Sequence, residues 1–154
     1  MVISSQVHWL CIVALLLVGI APAHAHPTQA QPRGTVTVLV SGLKTNHGTV
    51  RVALYNEPQE FPRGKVFKRA AAPIINGKAT VQFEGLEPGE YAIALMHDEN
   101  GNGVMDYNVL GIPTEHYAFS NNVKAVLAPP SFDKAKFTVK AASEQAQTLQ
   151  IFCD

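Results

Sequence analysis

The sequence predicts an all-β protein, an antiparallel β-sandwich of about seven short strands. Three observations predict this fold class. Apolar residues recur at every second position in short runs, which is the period of a strand with one buried face. Turn residues such as Asn76-Gly77 and Pro88-Gly89 bound these runs. Finally, the chain has no long stretch with the helical period that an alternating βαβ protein requires.

The predicted strands, in order, lie at residues 35–40, 48–55, 78–83, 90–96, 135–140 and 148–152. Asn46-His47-Gly48 predicts a hairpin turn between the first two. Residues 65–72 fit either a further short strand or one helical turn, and the sequence leaves both open. Spacing of i, i+2 along one face of each strand predicts the inward side chains: Val36, Val38, Val40, Val50, Val52, Leu54, Val81, Phe83, Tyr91, Ile93, Leu95, Phe137, Val139, Leu149 and Ile151.

The first 25 residues predict a cleaved secretory signal. Residues 9–20 form an apolar run, and Ala23 and Ala25 follow it in an A-x-A cleavage pattern. A membrane anchor is the alternative, but the run is shorter than the roughly 20 residues that span a bilayer. We therefore expect a signal peptide at 1–25, a flexible lead-in at 26–33 and one domain at 34–154. The mature protein would be periplasmic or secreted, with no membrane span.

Charge and cysteine content limit the kinds of partner and the oligomeric state that we expect. Twelve basic and twelve acidic residues give a formal net charge of zero, so the chain lacks the basic surface that nucleic acid attracts. Cys11 leaves with the signal, and the remaining Cys153 then has no intramolecular disulfide partner. We expect a monomer or a weak dimer, formed through an edge strand or through Cys153.

The segment after the most regular strand has the spacing of a calcium loop. Oxygen-bearing side chains stand at relative positions 1, 3, 5 and 9, a glycine stands at position 6, and a main-chain carbonyl is available at position 7. Position 12 is Val109 instead of the glutamate of an EF-hand, and no helices flank the loop, so an EF-hand is excluded. The predicted calcium ligands are Asp98, Asn100, Asn102, Val104, Asp106 and, from outside the loop, Glu115.

Two points about this loop stay open in the sequence. The missing carboxylate could come from Glu115, Glu99 or Asp154, and we prefer Glu115 because it lies in the same long connection as Asp106. Alternatively, the Asp, Asn and Gly residues form an ordinary turn, in which side chains bond the local backbone and no ion is required.

Two histidines raise a second metal hypothesis. His97 and His116 bracket the loop and could form a transition-metal site with Asp98 or Asp106. The alternative is that each histidine is a hydrogen-bonded structural residue. If the signal were cleaved after Ala23, His24 and His26 would instead offer an N-terminal copper(II) site.

Four sequence blocks together resemble a known family. They read FEGLEPGEYAI at 83–93, HDENGNGVMD at 97–106, GIPTEHYAFSNN at 111–122 and PSFDKA at 130–135. Their order resembles the bacterial secreted family called domain of unknown function 2141, over residues 34–152. The resemblance implies an exported transthyretin-like or prealbumin-like β-sandwich and brings no established activity. The first two blocks are also similar to repeat modules of bacterial surface adhesins, which implies calcium at the loop.

The sequence contains no G-x-S-x-G elbow, H-E-x-x-H, P-loop or Rossmann pattern, so we predict no enzymatic activity. Ser120, His116 and Asp106 could be assembled into a triad, but Ser120 fits a turn or strand end better. Aromatic residues could present a face beside the loop or simply pack at an edge; they are Tyr107, Tyr117, Phe119 and Phe132.

The functional prediction is an exported, non-catalytic module that binds structural calcium and a glycan, peptide or envelope-protein partner. Its binding surface would lie on the long connection at residues 98–130. The alternative is an exported metal-handling or hydrolase-like protein that uses His97, His116 and nearby carboxylates.

Overall fold

A computed structural model describes residues 32–151 and confirms the all-β class. The predicted signal peptide, residues 26–31 of the lead-in and residues 152–154, which include Cys153 and Asp154, lie outside the described residues. Within them the strands are β1 (Gly34–Ser41), β2 (Thr49–Tyr55), β3 (Lys68–Pro73), β4 (Ala79–Leu86), β5 (Gly89–Asp98), β6 (Tyr117–Phe119), β7 (Phe137–Val139) and β8 (Glu144–Gln150). Two 3₁₀ turns, Pro58–Glu60 and Ser120–Asn122, and one helical turn, α1 (Phe132–Ala135), lie between them.

The strands form two sheets packed face to face. One has the order β4-β1-β8, and the other has the order β3-β2-β5-β6, with β7 paired to the start of β5. Every described strand pair is antiparallel except β1 and β8, which run parallel from Thr35↔Glu144 to Ser41↔Gln150. The sandwich is thus predicted correctly, but the parallel pair is not, because alternation identifies the buried face of a strand and not the direction of its neighbour. The hairpin predicted at Asn46-His47-Gly48 is also wrong, since β1 and β2 lie in different sheets.

The core lies between the two sheets and consists of the side chains that the alternation predicts. Val36, Val38 and Val40 of β1 pack in the same cluster as Val50, Val52 and Leu54 of β2, and all are buried. Every predicted inward residue belongs to this cluster, with Phe137 half-buried at its edge. Burial of these aliphatic side chains, each contributing about 1.5–3 kcal/mol, is the main force that holds the sheets together.

Several element boundaries differ from the prediction. The ambiguous residues 65–72 resolve as a strand, β3. The strand expected at 135–140 is shorter, because α1 occupies the chain up to Ala135 and β7 begins at Phe137. The last strand begins at Glu144, four residues before the predicted start, and its first four residues are alternately exposed and half-buried. Those positions are polar or small, so they carry no apolar alternation for the sequence to show.

A second apolar cluster covers the outer face of the larger sheet. It contains Tyr55, Ala92, Phe132 and Ala135. Phe61 packs edge-on against Tyr55 and Phe132, with ring centroids 5.4 and 6.0 Å apart. Because both faces are covered here, β5 is buried at three consecutive residues, from Tyr91 to Ile93. The strand that carries the candidate site is therefore anchored in the centre of the molecule.

The turn Ser120–Asn122 joins both sheets to α1. The Ser120 hydroxyl accepts the Ile93 N–H at 2.8 Å and donates to the Ala135 carbonyl at 2.6 Å. The Asn122 side chain accepts the Gln150 N–H at 2.8 Å and donates to the Thr148 carbonyl at 3.1 Å, so it pairs with β8 as an extra strand would. These side chains fasten the ends of β5, α1 and β8 to one turn.

Across residues 32–151, no helix has the length and apolar character needed to cross a bilayer.

Candidate functional site

The predicted loop leaves the larger sheet at the end of β5. His97 and Asp98 are its last strand residues, and they pair with Val50 and Thr49 of β2. On the other side, the His97 N–H donates to the His116 carbonyl at 2.8 Å, just before β6 begins. The connection at residues 99–116 therefore starts and ends side by side, and this closure brings distant site residues together.

Asp98 is the buried root of the loop. Its carboxylate accepts the Gly101 N–H at 2.8 Å and the Gly103 N–H at 3.0 Å, and it forms an ion pair with the Arg51 Nε. Burial alone would raise the pKa of the Asp98 carboxyl. The hydrogen bond from Arg51, those from Gly103 and Gly101 and the charge of Arg51 outweigh that effect, so the pKa is lowered. Asp98 is thus an anion at neutral pH.

The predicted ligands at positions 3, 5 and 9 meet at the tip of the loop. The Asn100 side-chain amide lies 2.6 Å from the Asp106 carboxylate, and that of Asn102 lies 3.0 Å from it. The Asn100 and Asn102 side-chain oxygens accept the Asn102 and Val104 N–H groups, both at 2.9 Å. Gly103 turns the chain with a φ of +83°, a left-handed conformation in which a side chain would be strained. The side chains at positions 3, 5 and 9 therefore contact one another at the tip.

Glu115 closes the base of the loop. Its side chain is buried, and its two carboxylate oxygens accept the Glu99 N–H at 3.1 Å and the Asp106 N–H at 3.4 Å. Among the described candidates for the missing carboxylate, Glu115 is the one that bonds the loop backbone at both its second and its ninth residue. Asp154, the other distant candidate, lies outside the described residues.

These contacts are compatible with both hypotheses for the loop. The bonds from backbone N–H groups to Asn100 and Asn102 are those of an Asx-rich turn, which needs no ion. A side-chain amide oxygen carries two lone pairs, however, and a carboxylate has about four acceptor positions. Each candidate oxygen that accepts one N–H therefore retains a lone pair with which to bind a hard cation.

Glu99 takes a different position from the one considered in the sequence. Its Oε1 atom lies 3.3 Å from His97 Nδ1 and 3.5 Å from His116 Nδ1. The two imidazole rings stack with centroids 6.5 Å apart. The structure therefore brings Glu99, and not Asp98 or Asp106, to the two histidines, because Asp98 turns toward Arg51 and Asp106 toward the loop asparagines.

Sequence reasoning named Glu99 as a possible loop ligand but did not place it with the two histidines, and it missed Arg51. Glu99 follows His97 at i, i+2, so both side chains project to one side of the extended chain, and that spacing was an available signal. Arg51 lies on β2, and nothing in its local sequence indicates a partner in a loop 47 residues away.

The remaining predicted residues are structural or exposed. Ser120 is fully buried and bonded to backbone groups, as a turn residue would be, which leaves its hydroxyl occupied. Phe132 is buried, and Phe119 packs against Phe61 at 5.8 Å, so the structure favours packing over a presented aromatic face. Tyr107 is the exposed member of that group.

An open groove of about 410 Å³ lies beside both candidate sites. Its lining includes Ile112, Glu115, His116, Tyr117 and Val123. Apolar side chains project into solvent next to it from a compact turn: Val109, Leu110 and Ile112 are all more than half exposed. The Asn108 side chain accepts the Leu110 and Ile112 N–H groups at 2.9 and 3.0 Å and holds that turn in place.

Comparison with solved structures found a similarity to a cysteine-to-alanine mutant of the pilus-presented adhesin Spy0125 (Cpa). The two chains are 13% identical, with a TM-score of 0.21, and the match covers 79% of this chain and 28% of the adhesin chain. This chain thus corresponds to less than a third of that protein, and the similarity supports no functional argument. Comparison with curated protein sequences gave no match.

A family model matches residues 38–147, which include six of the eight strands (β2 to β7) completely, part of β1 and of β8, and the whole candidate site. The match confirms the resemblance carried by the motifs at 83–93, 97–106 and 111–122. The chain belongs to the bacterial family described as "Uncharacterized protein conserved in bacteria (DUF2141)".

Proposed function

We propose that this protein is an exported, non-catalytic β-sandwich module that binds calcium in the loop at residues 98–106 and contacts an envelope or extracellular partner through the neighbouring connection. Family membership assigns no activity, so the proposal rests on the chemistry of the site. Export is inferred from the apolar run at 9–20 and the A-x-A pattern that follows it.

One observation carries the calcium proposal: a buried carboxylate supports the loop from each side. Asp98 binds the loop backbone at positions 4 and 6, and Glu115 binds the N–H groups of Glu99 and Asp106. At the tip, the Asn100 and Asn102 amide groups donate to the Asp106 carboxylate, and their oxygens accept the Asn102 and Val104 N–H groups. Oxygen donors of this kind, from several points of one loop, are the ligands that calcium prefers.

Charge supports the same proposal. Asp98, Glu99, Asp106 and Glu115 place four acidic groups in or beside the loop, and Arg51 offsets the charge of Asp98. A divalent cation would reduce the remaining repulsion. We expect a dissociation constant of about 10⁻⁴ to 10⁻³ M, the range of extracellular calcium modules, because few of the ligands are carboxylates.

The partner proposal follows from the exposed turn beside the groove. Val109, Leu110 and Ile112 are held outward by the Asn108 side chain. Holding apolar side chains in solvent does not stabilise the folded chain, whereas burying them against a partner lowers the free energy by about 25 cal/mol per Å². Calcium in the preceding loop would stiffen the base of this turn.

The calcium proposal is tested by thermal unfolding of the purified protein in chelator and then in about 10 mM calcium or magnesium. A ligand that binds the folded state alone stabilises it by mass action, here by about 1.4 to 2.7 kcal/mol for the expected affinity. Calcium should raise the melting temperature and magnesium should raise it less, because magnesium resists replacing its water ligands.

Asp106→Asn is the informative variant, because it removes a charge while retaining the size of the side chain. It should unfold near the wild-type temperature in chelator and lose the calcium-dependent rise. Asp133→Asn, at an exposed aspartate on α1, is the matched control and should retain the rise. A wild-type protein that does not respond to calcium would make the loop an Asx-rich turn, and an equal response to both ions would reduce the effect to charge screening.

A further inference from the structure

The cluster of His97, Glu99 and His116 has a geometry that its hydrogen bonds do not explain. One ring nitrogen of each histidine and one carboxylate oxygen of Glu99 lie within 4.8 Å of one another. His97 is 98% buried, while nearly half of the Glu99 side chain is exposed. The cluster therefore has one fixed wall and one side open to solvent.

The tautomer of His97 is set by the turn before β2. The His97 Nε2 atom lies 2.8 Å from the His47 carbonyl oxygen, which can only accept a hydrogen bond, so Nε2 carries the proton. In the neutral ring, Nδ1 then presents its lone pair toward Glu99. Gly48 makes this contact possible, because a Cβ at that position would clash with the Asp98 carbonyl oxygen. A backbone carbonyl that orients the far nitrogen is the usual support of a metal-binding histidine.

His116 presents the second nitrogen. Its Nδ1 atom is buried from solvent and has no hydrogen-bond partner. Its distance of 3.5 Å from Glu99 Oε1 is too long for a charge-assisted hydrogen bond, which is about 2.7–2.9 Å. A buried polar atom without a partner is unfavourable, and a bound cation would supply the missing interaction.

The separations fit a metal ion. Two ligand atoms bound to a tetrahedral zinc ion at about 2.05 Å lie about 3.3 Å from each other. The Glu99 oxygen lies 3.3 and 3.5 Å from the two histidine nitrogens. Both measured separations therefore match the edge of a zinc tetrahedron, and the two histidine nitrogens lie within 4.8 Å of each other.

We propose that His97 Nδ1, His116 Nδ1 and Glu99 Oε1 bind a divalent transition-metal ion of the zinc or copper(II) class. Two imidazoles and a carboxylate suit these ions, whereas calcium takes oxygen ligands, so this centre is chemically distinct from the loop at 98–106. Three protein ligands leave a fourth position on the solvent side, open to water or to a ligand from a partner.

Zinc affinity of the purified protein, measured by competition with a chromophoric chelator, tests the proposal. His116→Gln and Glu99→Gln should each weaken zinc binding by about 100-fold, since even outer-shell changes cost about 10- to 100-fold. His47→Gln is the matched control: it removes an imidazole nearby but keeps the backbone carbonyl that orients His97, and its zinc affinity should change by less than about twofold. Circular dichroism of each metal-free variant establishes that it is folded.

Two results would overturn the proposal. Wild-type zinc binding no tighter than that of His116→Gln would leave the cluster as an ordinary imidazole–carboxylate contact. Equal zinc binding by all variants would place the ion elsewhere, for example at His24 and His26. Cobalt(II) substitution adds a direct readout, because a tetrahedral nitrogen and oxygen site gives intense visible absorption that Glu99→Gln should abolish. The calcium response of the same samples reports on the loop separately, so failure of either proposal can be recognised without the other.

Discussion

Replacing Asp98 with alanine should destabilise the protein both with and without calcium. A simple ligand model of the loop predicts an effect only when the ion is present. In the structure, however, the Asp98 carboxylate is the acceptor for the Gly101 and Gly103 N–H groups and the partner of Arg51. These contacts do not depend on an ion, so their loss should be measurable in chelator.

The magnitude follows from those contacts. Each N–H that loses its acceptor costs about 1 kcal/mol, at the low end of the usual range, because the loop is partly exposed and water can replace the carboxylate. The ion pair adds at most about 1 kcal/mol, since 41% of the Arg51 side chain is exposed and solvent screens it. We therefore expect Asp98→Ala to lower the free energy of unfolding by about 2 to 3 kcal/mol.

Urea unfolding in chelator, followed by far-ultraviolet circular dichroism, measures this difference at constant m-value. Asp133→Ala is the control and should change the free energy of unfolding by less than about 0.5 kcal/mol, because that side chain is exposed. If Asp98→Ala were as stable as the control in chelator, the buried contacts of Asp98 would contribute nothing and our account of the loop root would be wrong.

Three further predictions concern Asp98, Ser120 and Asn122. The pKa of Asp98 is lowered in the folded protein, so its contribution to stability is complete above the ordinary pKa of 3.8 and is lost as pH falls through the folded-state pKa. The free energy of unfolding should therefore fall on acidification below pH 3.8 in the wild type, and fall less in Asp98→Asn. Measuring stability between about pH 5 and about pH 2 checks this. Ser120→Ala should cost about 2 to 3 kcal/mol in urea unfolding, because it leaves the buried Ile93 N–H and Ala135 carbonyl without their partner, and an unchanged midpoint would contradict it. Asn122→Ala should speed hydrogen exchange at the Gln150 amide while leaving exchange in β2 unaltered, and uniform acceleration would instead indicate global destabilisation.

The sequence predicts the core well because buried apolar residues recur at every second position of a strand. Val36, Val38 and Val40 alternate with exposed or half-buried neighbours, and so do the inward residues of β2 and β4. The sequence does not predict the first half of β8, because its residues are polar or small. Its place in the sheet depends on backbone pairing with β1. Backbone hydrogen bonds do not select side chains, so they leave no comparable signal.

In the candidate site as well, local contacts can be predicted from the sequence and long-range contacts cannot. The hydrogen bonds within residues 98–106 join residues two to six positions apart, so local spacing indicates them, whereas the contacts of Arg51 and Glu115 with the loop are long-range. The cluster of His97, Glu99 and His116 depends on the return of the chain to the end of β5, which the His97 N–H to His116 carbonyl bond secures. Long-range closure of this kind is a property of the assembled sheet, and a single sequence does not reveal it.

The parallel pairing of β1 with β8 has a consequence for how the protein can fold. β1 lies between β4 and β8 in the smaller sheet, and Val38 is opposite Gln147. Until β8 has emerged, one side of β1 is a bare edge whose N–H and C=O groups can pair with any extended chain. Contacts between such distant segments also slow folding, because the intervening loop must be ordered first. A chain that stalls or is cut before residue 144 would therefore expose the edge of β1. We expect such fragments to aggregate through that edge, which β8 covers in the complete fold.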